Sequence, residues 1–241
     1  MSDNQHFKFS NAVLLVPLVF VLLIWSVYWA ELSVGTNFNK FGIYPRTLSG
    51  LRGVFFGPFI HGSLKHLYNN TIPVAVLLAA LFYFYRSIAW KVVLFGVLFS
   101  GLITWGIGRS SYHIGASGLI YVLASFTFFK GVFTKYYRLI ALSLVVVFIY
   151  GSLLWYIFPV KDGISWEGHL GGFLTGLFLA IILKAKVPKT KKFEWEKTDF
   201  NEEEDPFLKH FDKDGNFIEN LEKEDTDDIQ VIYNYKKNNE D

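Results

Sequence analysis

The sequence predicts an all-α membrane protein: a bundle of six transmembrane helices with an embedded first loop and a C-terminal soluble tail. Three observations predict it. Of 241 residues, 52% are hydrophobic and 19% aromatic, while 18% are charged; a soluble domain of this length carries roughly a quarter. The charge is also unevenly placed. Residues 1–185 hold 4 acids and 13 Lys+Arg, and residues 186–241 hold 17 acids and 10 Lys+Arg, a net of −7. Finally, apolar runs recur six times in the first part and not in the second. The chain thus divides into a cytosolic N-terminus (1–10), a membrane body (11–185) and an acidic, disordered cytosolic tail (186–241). The overall charge of +2 averages two unlike parts and implies no nucleic-acid partner.

The first run, Asn11–Ala30, is 20 residues long, enough to span about 30 Å of hydrocarbon. Residues 1–10 lack the strongly basic start of a signal peptide, so the run reads as a retained first helix. The stretch Glu31–Ser63 is long, aromatic and Gly/Pro-bearing, with no sustained polar run. Its apolar content (Leu51, Val54, Phe55, Phe56, Phe59, Ile60) predicts an ordered element partly embedded at the interface. Further runs follow at Lys65–Tyr85, Ile88–Ile107, Ile114–Phe129, Leu139–Phe158 and Gly163–Leu183, the fourth and sixth spans being short or Gly-rich. With the N-terminus in the cytosol, the inside connections hold Lys8, Arg86, Lys91, Lys130, Lys135 and Arg138, and Lys184–Lys192 follow the last span. The outside connections hold Lys40, Arg46, Arg52, Arg109 and Lys161. This bias favours both termini inside. In the tail, Glu202–Asp205 and Asp225–Asp228 are acidic runs of a solvated segment. Asp212-Lys213-Asp214-Gly215-Asn216 has the start of a calcium loop but no glutamate at the required spacing.

Polar side chains at membrane depth are costly and need a reason. Spans two, four and six enter from outside and end at Arg86, Lys130 and Lys184. Asn70, Ser117 and His169 precede those ends by 16, 13 and 15 positions, which sets all three about 20–24 Å above the cytosolic boundary. His66 lies one turn above Asn70 on the same helix face. Singly, each has a bland explanation. Ser117 can be a packing residue among Gly115, Ala116 and Gly118. His169 can be a hydrogen-bonded histidine beside Gly168, Gly171, Gly172 and Gly176. Asn70 can join two helices, and His61 or His66 can lie at the interface. One shared depth makes the joint reading the better one.

A serine hydroxyl is a weak nucleophile until a neighbouring base takes its proton. His169 can be that base, and Ser117 opens a helix whose dipole favours negative charge. The Ser117 backbone N–H, Asn70 and His66 can supply donors to a tetrahedral oxyanion. Spans two and four hold no carboxylate, so a Ser–His dyad without aspartate is expected, with Tyr121 able to hold the imidazole.

These residues resemble the rhomboid family of intramembrane serine proteases. Gly115-Ala116-Ser117-Gly118 is similar to the family's Gly-x-Ser-Gly nucleophile motif. His169 ahead of Gly172-Phe-Leu-Thr-Gly176 is similar to its sixth-span histidine and glycine pattern. His61, His66 and Asn70 resemble its second-span histidine–histidine–asparagine spacing, and Tyr121 its tyrosine packed on the histidine. Arg52 resembles a first-loop arginine, although the preceding residue is Leu51 where the family has tryptophan. The resemblance covers about residues 10–185. It implies a six-span rhomboid bundle in a bacterial inner membrane. There the chain would cleave single-span transmembrane proteins near their outer end, with no metal and no cofactor.

Other classes fit less well. No paired aspartates lie in the spans, and no His-Glu-x-x-His is present. Cysteine is absent, which removes thiolate catalysis and zinc–cysteine sites. A catalytically silent rhomboid-like binder typically lacks the serine or the histidine, and both are here. A small-solute transporter predicts polar residues through the whole membrane thickness, whereas these stay in its outer half.

Overall fold

The computed structural model describes residues 9–149, 155–185, 193, 195 and 197–218. The chain separates into two compact units, Met1–Lys189 and Thr190–Asp241. In the first, described residues form helices and turns and no strand. Four helices are long and apolar enough to cross a membrane: α1 (Ala12–Val34), α4 (Leu64–Phe84), α5 (Ala89–Ile107) and α6 (Ser117–Thr134). Two apolar helices are shorter, α7 (Tyr137–Ile149) and α8 (Trp166–Ile182). Residues 1–8, part of the expected fifth span (150–154), most of Lys184–Lys192 and 219–241 lie outside the described residues.

Helix boundaries follow local chemistry. Gly35 closes α1 in the left-handed conformation, donating its N–H to the Leu32 carbonyl. Ser63 opens α4 and Ser165 opens α8, each accepting a backbone N–H with its hydroxyl, from His66 and Gly168. α6 starts at Ser117, three residues later than the expected Ile114, because Gly115 sits at φ +103 and breaks the helical path. It runs on past Lys130 to Thr134. Lys130, expected in an inside connection, is instead buried and donates from Nζ to the Ala180 and Leu183 carbonyls at 2.9 and 2.6 Å. It satisfies the open end of α8.

α8 packs most closely on α6. A Cβ on Gly172 would meet the Gly118 carbonyl and the Tyr121 Cβ, and one on Gly176 would meet the Val122 carbonyl and the Phe126 backbone. The two backbones touch wherever these glycines fall, which fixes the α8 register on α6. Around them Leu77, Leu78, Leu81, Leu123, Phe126 and Leu179 form a fully buried core.

The first loop is ordered through short helices α2 (Leu48–Leu51) and α3 (Gly53–Phe56) and two 3₁₀ turns, Phe38–Phe41 and Gly57–Phe59. It is tied to α5: the Trp105 indole donates to the Thr47 carbonyl at 2.9 Å, and Arg46 donates to the Gly106 and Gly108 carbonyls. Arg52 holds the loop's own turn, donating to the Lys40 carbonyl at 2.9 Å with its guanidinium over Phe41. Leu48, Phe55 and Phe56 point outward, exposed.

In the second unit, Phe211 and Phe217 pair across a tight turn. Its closure is an Asp212 carboxylate accepting the N–H groups of Asp214 and Asn216 and the Asn216 amide. Those donors, the Asn216 backbone foremost, hold the Asp212 carboxyl below its usual range. Both oxygens of the first residue of the calcium-like run are thus engaged by the turn itself.

Candidate functional site

The site is assembled where α6 begins. Gly115 donates its N–H to the Gly57 carbonyl at 2.9 Å, and Ala116 donates to His61 Nε2 at 3.4 Å. These bonds pin the turn before Ser117 onto the first loop. The first loop and the segment before that turn are also joined by an isolated bridge between Ile43 and His113.

Ser117 and His169 are brought together. Ser117 Oγ lies 3.0 Å from His169 Nε2, and His169 Nδ1 lies 2.9 Å from the Tyr156 carbonyl. A carbonyl only accepts, so Nδ1 carries the proton and Nε2 presents its lone pair to the serine. That is the tautomer a general base needs. The Tyr121 ring stacks on the imidazole, with centroids 4.3 Å apart and planes 16° from parallel. His169 is 7% exposed and Ser117 half-buried.

His66 and Asn70 gather against Gly115. A Cβ there would lie 2.6 Å from His66 Cε1 and Nε2 and 3.5 Å from Asn70 Nδ2. The Asn70 amide nitrogen is buried and, among the described residues, has no acceptor. An unpaired buried donor is costly, and this one lies against Gly115, two residues before the serine. Gly118 faces the Gly168 carbonyl at 3.5 Å from an ideal Cβ, keeping α8 close to the serine's own turn.

His61 supports the turn rather than the pair. Its Nδ1 lies 3.4 Å from the Phe59 carbonyl while Nε2 accepts from Ala116, a pattern of the neutral ring. Burial, then the neighbouring His66, holds its pKa down to about 4. The unfolded value of 6.5 is higher, so the unfolded chain binds the proton first. Its contribution is complete above that unfolded value and is lost as pH falls toward the folded one. Thermal unfolding should therefore show the melting temperature falling as pH drops below neutral, with a shallower fall in His61→Gln. An equal slope in that variant would assign the acid loss to another group.

The sequence reasoning missed a second polar cluster. His113 Nδ1 lies 2.5 Å from Ser165 Oγ, and His113 Nε2–H donates to the Arg109 carbonyl at 3.1 Å. Burial lowers the His113 pKa. Glu167, 1% exposed, accepts the Arg109 N–H at 3.1 Å and pairs with its guanidinium at 3.4 Å. Arg109 also donates to the Ile164 carbonyl. The cluster staples the loop before α6 to the start of α8. Its signal was available: Glu167 is the one acid in the sixth run, and Arg109 the one strong base in the loop before Ser117. The Tyr156 carbonyl was also missed.

Fold and site define a class first: a helical integral membrane protein with a serine and a histidine in contact where two glycine-matched helices meet. Comparison with known proteins gives the family. The family model described as the Rhomboid domain matches residues 49–186. Proteins of Mycobacterium bovis and Mycobacterium tuberculosis are 37% identical over 188 residues, covering 72% of this chain and 76% of theirs. A Mycobacterium leprae protein is 34% identical over 198 residues, 76% of each chain. All three are described as uncharacterized proteins. The chain belongs to the rhomboid family.

Proposed function

We propose that the protein is an intramembrane serine endopeptidase cleaving single-span membrane proteins near the outer end of their transmembrane helix. The observation that carries this reading is the orientation of His169, with Nδ1 toward the Tyr156 carbonyl and Nε2 3.0 Å from Ser117 Oγ. His169 takes the hydroxyl proton as Ser117 attacks the scissile carbonyl. The Ser117 backbone N–H, the Asn70 amide and His66 receive the developing oxyanion. The imidazolium then protonates the leaving amine. Water, activated by the same histidine, releases the acyl group from Ser117. Tyr121 and the Tyr156 carbonyl hold the ring in place of an aspartate.

All six apolar helices span the bilayer, the first loop is embedded, and both termini are cytosolic in a bacterial inner membrane. The support is the positive-inside bias of the loops and the outward Leu48, Phe55 and Phe56. Residues 1–10, 11–185 and 186–241 serve as terminus, protease body and acidic tail. The tail's charge keeps it off the anionic leaflet.

The test is cleavage of a labelled single-span protein by the purified chain in vesicles. A product cut near the outer end, absent with Ser117→Ala, is expected; binding without any cut would make the protein a silent binder, and solute flux without a cut a transporter. In the same assay Asn70→Ala should lower turnover by about 10²–10³ with substrate binding nearly unchanged. Lost binding with retained turnover would make Asn70 a docking residue.

A further inference from the structure

Between α6, α7 and α8 lies a cavity of about 280 Å³ bounded by Tyr121, Phe128, Leu144, Val147 and Phe173. Two serines also line it, and both are engaged elsewhere. Ser125 donates to the Phe173 carbonyl at 2.8 Å and Ser143 to the Leu139 carbonyl at 2.7 Å. The polar atom left over is the Tyr121 hydroxyl, buried and without a partner among the described residues. One hydroxyl cannot hold an ordered water, which needs several polar partners. Apolar cavities of about 150 Å³ stay dry and accept a hydrocarbon ligand, and this one is nearly twice that volume.

The α7 wall says what the hydrocarbon is. Leu144 is 40% exposed, and its neighbours Val145 and Phe148 face outward more fully. In a membrane protein those side chains lie against lipid tails, so the cavity's open side borders the acyl region. We propose that the cavity binds an acyl tail of a bilayer phospholipid, entering past Leu144. The bound tail packs on the Tyr121 ring, whose stacking partner is His169. The tail thereby backs the ring that positions the base, so membrane lipid becomes part of the support of the site. This consequence rests on the assignment of His169 as base; the binding itself does not.

The experiment places the full chain in phosphatidylcholine–phosphatidylglycerol vesicles doped with a phospholipid bearing a diazirine on its acyl tail. Adducts are mapped by mass spectrometry after illumination. Adducts are expected on the cavity residues Ala124 and Ser125, both buried from the outer surface, besides ordinary annular adducts on exposed Leu94. Val147→Trp, and separately Leu144→Phe, should fill the cavity, losing the Ala124 and Ser125 adducts while keeping that on Leu94. The retained Leu94 adduct reports a folded, inserted protein. Annular adducts alone in the wild type, or cavity adducts surviving both variants, overturn the proposal. Labelling of the cavity by diazirine palmitate but not by the phospholipid overturns it in favour of a free fatty acid. Ser117 reactivity is not read at any step, so the outcome stands apart from the assignment of the nucleophile.

Discussion

Ser117→Ala should abolish reaction of the protein with a fluorophosphonate probe and reduce proteolysis by about 10⁶-fold, the scale seen when a serine hydrolase loses its nucleophile. Among the described residues, two serine hydroxyls lie within hydrogen-bond distance of a histidine ring nitrogen, which gives the experiment its force. Ser165 lies against His113 at 2.5 Å, closer than Ser117 to His169 at 3.0 Å. Distance alone would favour Ser165 over the proposed nucleophile. Ser165, however, is the N-cap of α8 and already accepts the Gly168 N–H at 3.3 Å. Its histidine faces a backbone carbonyl on the other nitrogen, and among the described residues the unpaired buried side-chain amide, that of Asn70, lies by Gly115 instead. A probe adduct should therefore map to Ser117 and vanish in His169→Ala, where no base remains to take the proton. An adduct on Ser165, Ser110 or Ser111 would move the nucleophile and overturn the proposed mechanism.

Gly115→Ala should lower turnover sharply while leaving the fold in place. Gly115 has φ +103, a conformation that costs an L-residue about 1–3 kcal/mol. The added carbon would also fall 2.6 Å from two atoms of the His66 ring. Relief is possible only by turning His66 away or by reshaping the turn that delivers the Ser117 N–H. Either displaces a donor of the proposed oxyanion site, and misplacement by about 1 Å can cost 10²-fold in rate. Turnover should drop by about that factor while the protein stays folded, since Gly57 and His61 still hold the turn. Steady-state kinetics on the labelled substrate would read it as a fall in kcat with KM nearly unchanged. Wild-type turnover in Gly115→Ala would remove His66 and this turn from the oxyanion site.

Much of this was legible in the chain. Long apolar runs gave α1, α4 and α5 within a few residues, because uninterrupted apolar sequence has one economical fold in a membrane. Counting residues to basic ends set Ser117 and His169 at one depth, with one of the marks misread; the structure puts them in contact at 3.0 Å. Lys130 occupies the position of a headgroup anchor but caps α8 from inside, and spacing cannot separate these roles. The short helices of the first loop span about one turn each and carry no periodicity to read. The His113–Ser165 contact joins residues 52 positions apart in loop and cap, where neither depth nor pattern applies.

The group that orients His169, the proposed base, is a main-chain oxygen, and every amino acid has one. Systematic residue-by-residue replacement would pass over Tyr156 almost silently, because no substitution there deletes its carbonyl. What the proposed catalytic pair depends on at that point is the length and course of the segment, the turn Trp155–Ile157 and the stretch leading to Trp166. A single-residue deletion between Phe158 and Ile164 should inactivate the protein where point variants do not. Natural variation there is accordingly expected to be free in composition, apart from Gly163 at φ +77, and rigid in length.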